Sequence, residues 1–345
     1  SMELLKRTLL FCCMFFCCHG DQRMKMLCDF VVVNDPEAYQ KCSHVFTHKY
    51  VVHVGSNSTI MREDMKLDGE GVSFPQHVRR LAVLRVLYEQ EDIDLIDFHT
   101  IGEKVVQDPG IHGVMVSFKS SKMGTQTDML DILSSMLKDF SKEFYLSYEE
   151  EHQQENTEIR DTDFIKNIDG VVLPDRNPFH NQDEIYPQNP LHGKHFNDTY
   201  YNYEFIIGLF REYGFKPSQM IIKFDVRSGV MYERVEPECG PDFGDYYKST
   251  VNLPYFQFCT DGTMQWRMNK EEGIFYGYNC SHFAQLIVPS SVYHQASYFG
   301  TIPLGGLLLT LPDTSQDQNT CDVTPRVFLK DAVTGFLMTS ATQVT

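Results

Sequence analysis

The chain has 345 residues, 42% of them hydrophobic, and a formal net charge of −17 from 47 acidic and 30 basic side chains. This length and composition predict a globular protein with a sizeable core. The acidic balance, without a run of Lys or Arg to displace counterions, argues against a nucleic-acid partner and against an anionic membrane surface.

The first 20 residues have the three parts of a secretory signal peptide. A basic pair precedes an apolar run over 8–18, and the small residue Gly20 follows it. We expect cleavage near Gly20, which leaves a mature chain of 21–345. The apolar run is shorter than the roughly 20 residues of a membrane span, and no later run is longer. The sequence therefore predicts a secreted, extracellular protein without a membrane span.

Six cysteines follow the predicted signal peptide, an even number that predicts three disulfides in an oxidising compartment. Six cysteines allow 15 connectivities, and no C-x-x-C pair indicates a zinc site. Three glycosylation sequons, which begin at Asn57, Asn197 and Asn279, agree with secretion. The cysteines are Cys28, Cys42, Cys239, Cys259, Cys280 and Cys321.

Short apolar runs alternate with helical patterns along most of the chain, which is typical of βα units around a parallel sheet. Eight such runs indicate a closed barrel, so the predicted fold class is α/β, a (β/α)8 TIM barrel. The predicted strands are Cys28–Val33, Val45–Val54, Ile93–Ile101, Gly113–Phe118, Glu143–Ser147, Ile168–Leu173, Met220–Phe224 and Gly305–Leu311.

Three segments carry apolar residues at three- and four-residue spacing, which predicts amphipathic helices packed outside the barrel. They are Val78–Tyr88, Asp128–Phe140 and Tyr203–Tyr213. The segment Gly102–Pro109 is short for a crossover helix, so we expect that unit to be trimmed.

The composition changes over about 225–290 to Tyr, Phe, Gly and Pro with few helical repeats. This texture predicts a small α+β insertion late in the barrel. The insertion holds the only tryptophan, Trp266, which we expect either to pack within it or to offer a platform for a glycan.

Several segments in the same order resemble the family 18 glycoside hydrolases, the chitinases and chitinase-like lectins. The resemblance runs from Cys28 to about Asp322. It implies the disulfides Cys28–Cys42, Cys239–Cys280 and Cys259–Cys321. The matching segments are Cys42-Ser43-His44-Val45, Pro190-Leu191, Lys216-Pro217-Ser218-Gln219-Met220-Ile221-Ile222, Pro254-Tyr255-Phe256-Gln257-Phe258-Cys259 and Leu304-Gly305-Gly306-Leu307-Leu308-Leu309.

The family's catalytic motif on its fourth strand, D-G-x-D-x-D-x-E, falls on 112–119. In the family the final Glu protonates the leaving oxygen, and the neighbouring Asp stabilises the cation that forms when the substrate's acetamide attacks. Here His112, Met115, Ser117 and Lys119 stand at the four acidic positions. The resemblance therefore implies a degenerate catalytic motif and no hydrolysis.

Two further positions of the family pattern are also altered. The tyrosine that holds the acetamide falls on Pro174, which leaves Asp175 as the surviving acid beside it. The tryptophan that forms the floor of the sugar site falls on Thr310. We expect Asp175, Lys119 and Trp266 to be the residues that contact a ligand.

Histidines at 44, 48, 53, 192 and 195 raise the question of a metal site, but strand spacing separates His53 from His44 and His48. We expect no metal and no cofactor. The acids Glu149, Glu150 and Glu151 follow the fifth predicted strand, at the end of the barrel where catalytic groups lie.

The sequence predicts a secreted, catalytically inactive chitinase-like protein that acts by binding. Two partners remain open: a chitin-type or N-acetylglucosamine-containing glycan, or an extracellular protein that the chain engages as a signalling factor. The alternative is an active glycoside hydrolase that uses other carboxylates, such as Glu149, Glu150 or Asp175.

Overall fold

The computed structural model describes residues 24–30, 36–54, 59–63, 74–88, 105, 107–119, 127–148, 163–174, 184–193, 202–235, 239–240, 243–259, 262–311 and 325–342. In chain order its strands are β1 (Lys25–Phe30), β2 (His44–Val54), β3 (Thr59–Glu63), β4 (Arg79–Tyr88), β5 (Gly113–Lys119), β6 (Glu143–Tyr148), β7 (Gly170–Val172), β8 (Met220–Asp225), β9 (Ser228–Arg234), β10 (Tyr247–Pro254), β11 (Gln265–Asn269), β12 (Ile274–Tyr278), β13 (His282–Leu286) and β14 (Gly306–Leu311).

Eight of these strands form a closed parallel barrel, which confirms the predicted (β/α)8 fold. Around the barrel the order is β1, β2, β4, β5, β6, β7, β8 and β14, and β14 pairs with β1 to close the ring. The short strand β3 adds to β2 in the antiparallel direction.

The third barrel strand corrects one prediction. Val78–Tyr88, predicted as a helix, forms β4, which pairs with β2 on one side and β5 on the other. A strand that is buried on both faces carries apolar residues at consecutive positions, and here they coincide with helical spacing. The predicted strand Ile93–Ile101 lies outside the described residues.

The described helices are α1 (Pro36–Tyr39), α2 (Thr127–Asp139), α3 (Asp163–Asn167), α4 (Tyr203–Glu212), α5 (Tyr255–Cys259), α6 (Pro289–Phe299) and α7 (Pro325–Thr342). The predicted helices over Asp128–Phe140 and Tyr203–Tyr213 are confirmed as α2 and α4. The main core lies between the helices and the outer face of the barrel, where Phe164, Phe210 and Phe299 are fully buried.

A second sheet lies between the last two barrel strands in the sequence. It has five antiparallel strands in the order β10, β9, β13, β12, β11. Only two residues separate its first strand, β9, from the end of β8. The sheet therefore leaves directly from the carboxyl end of a barrel strand, and it corresponds to the β-rich insertion that the sequence predicts.

Two of the three disulfides implied by the resemblance are present. Cys28 of β1 is bonded to Cys42, just before β2, and Cys239 is bonded to Cys280 in the insertion. The third implied pair, Cys259–Cys321, lies outside the part of the chain whose side chains the structure describes.

Candidate functional site at the barrel mouth

The carboxyl ends of the eight parallel strands meet at one end of the barrel, which we call the mouth. Their amino ends meet at the opposite end, which we call the base. In enzymes with this architecture the reacting groups lie at the mouth, whereas residues at the base contribute to stability. Alternate residues of each strand point into the barrel, so the inward positions near the strand ends form the wall of the mouth.

The motif strand β5 is the fourth strand of the barrel, where the resemblance puts it. Met115 packs inside the barrel with Leu27 and Tyr145. Ser117, the next inward residue towards the mouth, is 4% exposed. Lys119 is the last residue of β5, and its side chain lies outside the described part of the chain. The described inward positions of β5 thus carry a thioether and a hydroxyl, and neither can serve as an acid catalyst at neutral pH.

Gly113 begins β5 and allows a close approach between strands. A Cβ atom at this position would lie 2.8 Å from the Glu143 carbonyl oxygen of β6 and 2.9 Å from the Leu81 side chain. The absence of a side chain at Gly113 thus lets the backbone of β6 come close.

His112 lies at the base and does not reach the mouth. Its ring Nδ1 accepts a hydrogen bond of 3.1 Å from the backbone N–H of Arg80. Burial lowers the pKa of His112, and the charges of Arg79 and Arg80 lower it further. The neutral ring that results suits its role as an acceptor, which is a structural one.

Two acids that were not predicted from the sequence lie at the mouth. Asp29 of β1 and Asp225 of β8 both pair in register with Thr310 of β14, one from each side. Leu27, Ile221 and Leu308 pack inside the barrel. Asp29 and Thr310 each lie two residues after one of them, and Asp225 lies four residues after Ile221, so all three are on the inward face of their strands. Thr310, the position of the family's tryptophan, therefore has a carboxylate on each neighbouring strand.

The environments of these two acids move their pKa values in opposite directions. Burial raises the pKa of Asp29, although Arg227, Lys223 and Lys49 act against it. Burial also acts on Asp225, but Arg227 outweighs it and the pKa of Asp225 is lowered. The Arg227 guanidinium donates two hydrogen bonds to that carboxylate, of 2.9 Å from Nε and 2.6 Å from a terminal nitrogen. Asp225 is therefore an ion-pair anchor, and Asp29 is the acid with the higher affinity for a proton.

Cationic side chains share the wall with these acids. Lys49 pairs in register with Val83, which packs inside the barrel, and Arg85 pairs with Ser117. Lys223 lies on β8 between the interior residue Ile221 and Asp225. Lys49, Arg85 and Lys223 are all partly exposed.

The remaining predicted mouth residues are only partly described. Pro174, at the position of the family's tyrosine, is buried just after β7, and Thr310 is 2% exposed. Neither offers an aromatic face to a sugar. Asp175 and the acids Glu149, Glu150 and Glu151 lie outside the described residues.

The base has a different chemistry, built around one carboxylate. Glu143 Oε2 lies 2.9 Å from His44 Nε2 and accepts a hydrogen bond of 3.2 Å from the Tyr145 hydroxyl. Its other oxygen lies 3.0 Å from an Arg79 guanidinium nitrogen. Burial raises the pKa of Glu143, but the hydrogen bond from His44 and the neighbouring cations lower it overall. Glu143 is thus held ionised.

Lys25 completes this cluster from β1. Its ammonium group donates a hydrogen bond of 2.8 Å to the Asp169 carbonyl and lies 5.0 Å from the centre of the Tyr145 ring. The Asp169 carboxylate accepts a hydrogen bond of 2.8 Å from the backbone N–H of Phe144. These contacts join β1, β6 and the residue before β7 at the base.

Trp266 lies on the edge strand β11 of the insertion. Its ring stacks on Phe275 at 5.2 Å and meets Phe258 edge-on at 6.3 Å. A Cβ atom at Gly277 would lie 2.5 Å from the indole ring, so the tryptophan covers that glycine. Of the two roles predicted for Trp266, these contacts support packing within the insertion.

Of the three sequons, the described residues include Asn279. It is partly exposed in the turn between β12 and β13, next to the Cys239–Cys280 disulfide. Its side-chain oxygen accepts hydrogen bonds from the backbone of Ser281 and His282. Asn57 and Asn197 lie outside the described part of the chain.

Within the described ranges, no three His, Cys, Asp or Glu side chains come together as a metal site would require. Helices in those same ranges lack the length and apolar character needed to cross a membrane.

Comparison of sequences finds neither a protein-family model nor a curated protein that matches the chain. Comparison of structures does find matches. Group IV chitinase of Ostrinia furnacalis, in complex with allosamidin, superposes with a TM-score of 0.68 at 12% identity, over 92% of this chain and 100% of that chain.

Two other solved structures extend the likeness to proteins with bound or added sugars. A GH18 chitinase of Cycas revoluta in complex with (GlcNAc)3 has a TM-score of 0.59 at 12% identity, over 90% of this chain and 99% of that one. YKL-39, in the presence of chitooligosaccharides, has a TM-score of 0.65 at 13% identity, over the same shares. At these identities the chain shares the fold of family 18 chitinases and chitinase-like proteins.

Proposed function

We propose that this protein is a secreted binding protein with a chitinase fold that takes a glycan containing N-acetylglucosamine at its mouth and does not hydrolyse it. The observation that carries the proposal is β5, whose inward residues Met115 and Ser117 replace carboxyl groups of the family motif. Fold alone does not transfer an activity when the residues that perform it are missing.

The chemistry of the family explains why these replacements matter. Hydrolysis needs an acid that protonates the glycosidic oxygen and a carboxylate that stabilises the positive charge developing on the sugar. Lys119 stands at the acid's position, and a lysine side chain with an ordinary pKa of about 10.4 is a cation at neutral pH. A cation beside a developing cation raises the barrier. Ser117 carries no charge to offset it.

An extracellular protein partner is the second candidate. It is favoured by Pro174 and Thr310, which are buried and remove two aromatic groups that would hold a sugar. The partly exposed charged groups Lys49, Lys223 and Asp29 favour the glycan, because they leave polar wall accessible at the mouth.

A glycan panel and an activity assay test the proposal together. The purified mature chain is expected to bind at least one N-acetylglucosamine-containing oligosaccharide and to leave fluorogenic chitooligosaccharides uncleaved from acidic to neutral pH. An authentic family 18 chitinase is the positive control for cleavage. Turnover comparable to that control would overturn the loss of hydrolysis, whereas an empty panel would favour the protein partner.

A further inference from the structure

A small cavity lies where three parts of the molecule meet, and its volume is about 20 Å³. These parts are the connection between β7 and α4, the insertion, and α6, the helix that follows the insertion. The cavity therefore lies at the junction between the barrel and its second sheet. Its polar lining includes Gln188 and Asn189 of the connection, Gln285 of β13 and Gln295 of α6.

Two glutamine side chains hold the connection at this junction. Gln285 Oε1 accepts a hydrogen bond of 2.8 Å from the backbone N–H of Gln188, and its amide nitrogen donates one to the Tyr186 carbonyl. The amide nitrogen of Gln295 donates a hydrogen bond of 2.9 Å to the Asn189 carbonyl. Gln285 and Gln295 are 1% and 5% exposed. The connection is thus attached to the insertion and to α6 by polar groups that are shielded from solvent.

Asn189 has a buried side-chain oxygen that these bonds leave unsatisfied. The Oδ1 atom is shielded from solvent, and it accepts no hydrogen bond from the part of the chain that the structure describes. A buried acceptor that has lost its hydrogen bond to water and gained none in return destabilises the fold. Buried polar atoms in folded proteins therefore nearly always have a partner, either in the protein or in an ordered water molecule.

The backbone explains part of the choice of asparagine at 189. Its φ angle is 50°, in the left-handed region, which asparagine adopts more readily than most residues other than glycine. Glycine would meet the same backbone requirement without burying an amide oxygen. The backbone therefore gives no reason for the buried Oδ1 atom, and a partner for that atom does.

The cavity has room for such a partner. A single water molecule needs a cavity of roughly 10–15 Å³ and two to four polar partners. The volume of about 20 Å³ meets the first condition and leaves no space for a much larger molecule. Asn189 Oδ1 can accept a hydrogen bond there. The amides of Gln285 and Gln295 each use one N–H on a backbone carbonyl, so each retains a second N–H that can donate.

We propose that this cavity is a binding site for one ordered water molecule. The water donates a hydrogen bond to Asn189 Oδ1 and accepts one from the amide of Gln285 or Gln295. It thereby adds a bridge between the connection after β7 and the elements that hold it, and it fixes the insertion to the barrel more firmly. Neither the site nor its test requires a glycan, so both are independent of the proposed function.

A high-resolution crystal structure of the mature chain tests the site directly. We expect a peak of electron density in the cavity, about 2.7–3.2 Å from Asn189 Oδ1 and from a second polar atom of the lining. A cavity without density would overturn the proposal. So would an Asn189 amide that is rotated onto a donor of the protein.

Two glycine substitutions test the same point in solution. Asn189 and Ser141 both have left-handed φ angles, of 50° and 54°, and Ser141 is exposed, so Ser141→Gly is the matched control. Glycine relieves the backbone, and Ser141→Gly is expected to raise Tm by about 1–2 °C. Asn189→Gly also removes the oxygen that binds the water, and it is expected to lower Tm by about 2 °C or more.

The sign of the Asn189→Gly shift separates the two states of the oxygen. If Oδ1 has no partner, its removal eliminates a destabilising group, and Tm should rise at least as much as in Ser141→Gly. Such a rise would overturn the proposal, whereas a fall in Tm supports it. If Asn189→Gly does not fold, the electron density of the unsubstituted chain still decides.

Discussion

The two ends of the barrel use charge in different ways. At the base, Glu143 is surrounded by His44, Arg79 and Tyr145 and is satisfied within the chain. At the mouth, Asp29 and Asp225 lie on either side of Thr310, and their pKa values move in opposite directions. A closed network of polar contacts joins the strands at the base, whereas the two acids at the mouth differ in their affinity for a proton.

The base should be the end where a single change costs most stability. Glu143→Gln keeps the size of the side chain but leaves three polar partners around a neutral amide, so we expect a loss of about 2–3 kcal/mol in the free energy of unfolding. The pKa of Glu143 is lowered in the fold, so its ionisation contributes stability above the unfolded pKa, and this contribution is lost as the pH falls through the folded value.

Denaturant unfolding near pH 7 and again near pH 3 checks both parts of this prediction. The control is Glu233→Gln, which removes an exposed carboxylate 3.7 Å from Lys248 and should change stability by less than about 0.5 kcal/mol. If Glu143→Gln and Glu233→Gln lower the free energy of unfolding equally, the prediction that the base contributes more to stability is wrong.

Gly113→Ala tests whether the start of the motif strand belongs to the packed part of the barrel. The added methyl group would press on the backbone of β6, so we expect a loss of about 2 kcal/mol. Gly208→Ala in α4 is the matched control. It has nothing within 4 Å of the added atom and should gain up to about 1 kcal/mol, measured by the same unfolding experiment. If Gly113→Ala leaves the free energy of unfolding unchanged, the close approach of β6 to Gly113 is contradicted.

The two mouth acids should respond to neutralisation with opposite signs. The pKa of Asp29 is raised, so its stability contribution is full below the unfolded pKa and is lost as the pH rises through the folded value. Asp29→Asn should therefore raise Tm by about 2 °C at neutral pH, with the gain vanishing near pH 3. Asp225→Asn should lower Tm at neutral pH, because the pKa of Asp225 is depressed. If both substitutions change Tm in the same direction at neutral pH, the opposite pKa shifts of Asp29 and Asp225 are contradicted.

The smallest expected effect concerns catalysis. Lys119→Glu restores an acid at one position of the motif, but Met115, Ser117 and Pro174 still replace the groups that would assist it. We expect chitooligosaccharide cleavage to stay at background in a fluorogenic assay. Appreciable turnover by this single variant would mean that the mouth already holds the other groups that catalysis needs.

Much of the barrel follows from the sequence because buried parallel strands produce apolar runs that are easy to locate. The same property caused the error at Val78–Tyr88, where residues facing the interior and residues facing the helices are both apolar, so the strand imitates a helix. The apolar runs and the resemblance both made β5 the fourth strand, although the third predicted run was Ile93–Ile101 and the third barrel strand of the structure is β4.

The charged wall of the mouth was harder to predict. Asp29 lies inside an apolar run, and Asp225 was taken as the boundary of one. A single acid near the carboxyl end of a buried strand was the available signal. Its meaning depends on which strands become neighbours, and β14 brings Asp29 and Asp225 to the two sides of Thr310 only when the barrel closes.

The connection from the barrel to the insertion is two residues long, Val226 and Arg227. Arg227 is therefore at once the partner of Asp225 and part of the attachment of the second sheet. A displacement of that sheet would carry the guanidinium with it and alter the charge that Asp225 and Asp29 experience. The pKa values of both mouth acids thus depend on where the insertion holds Arg227.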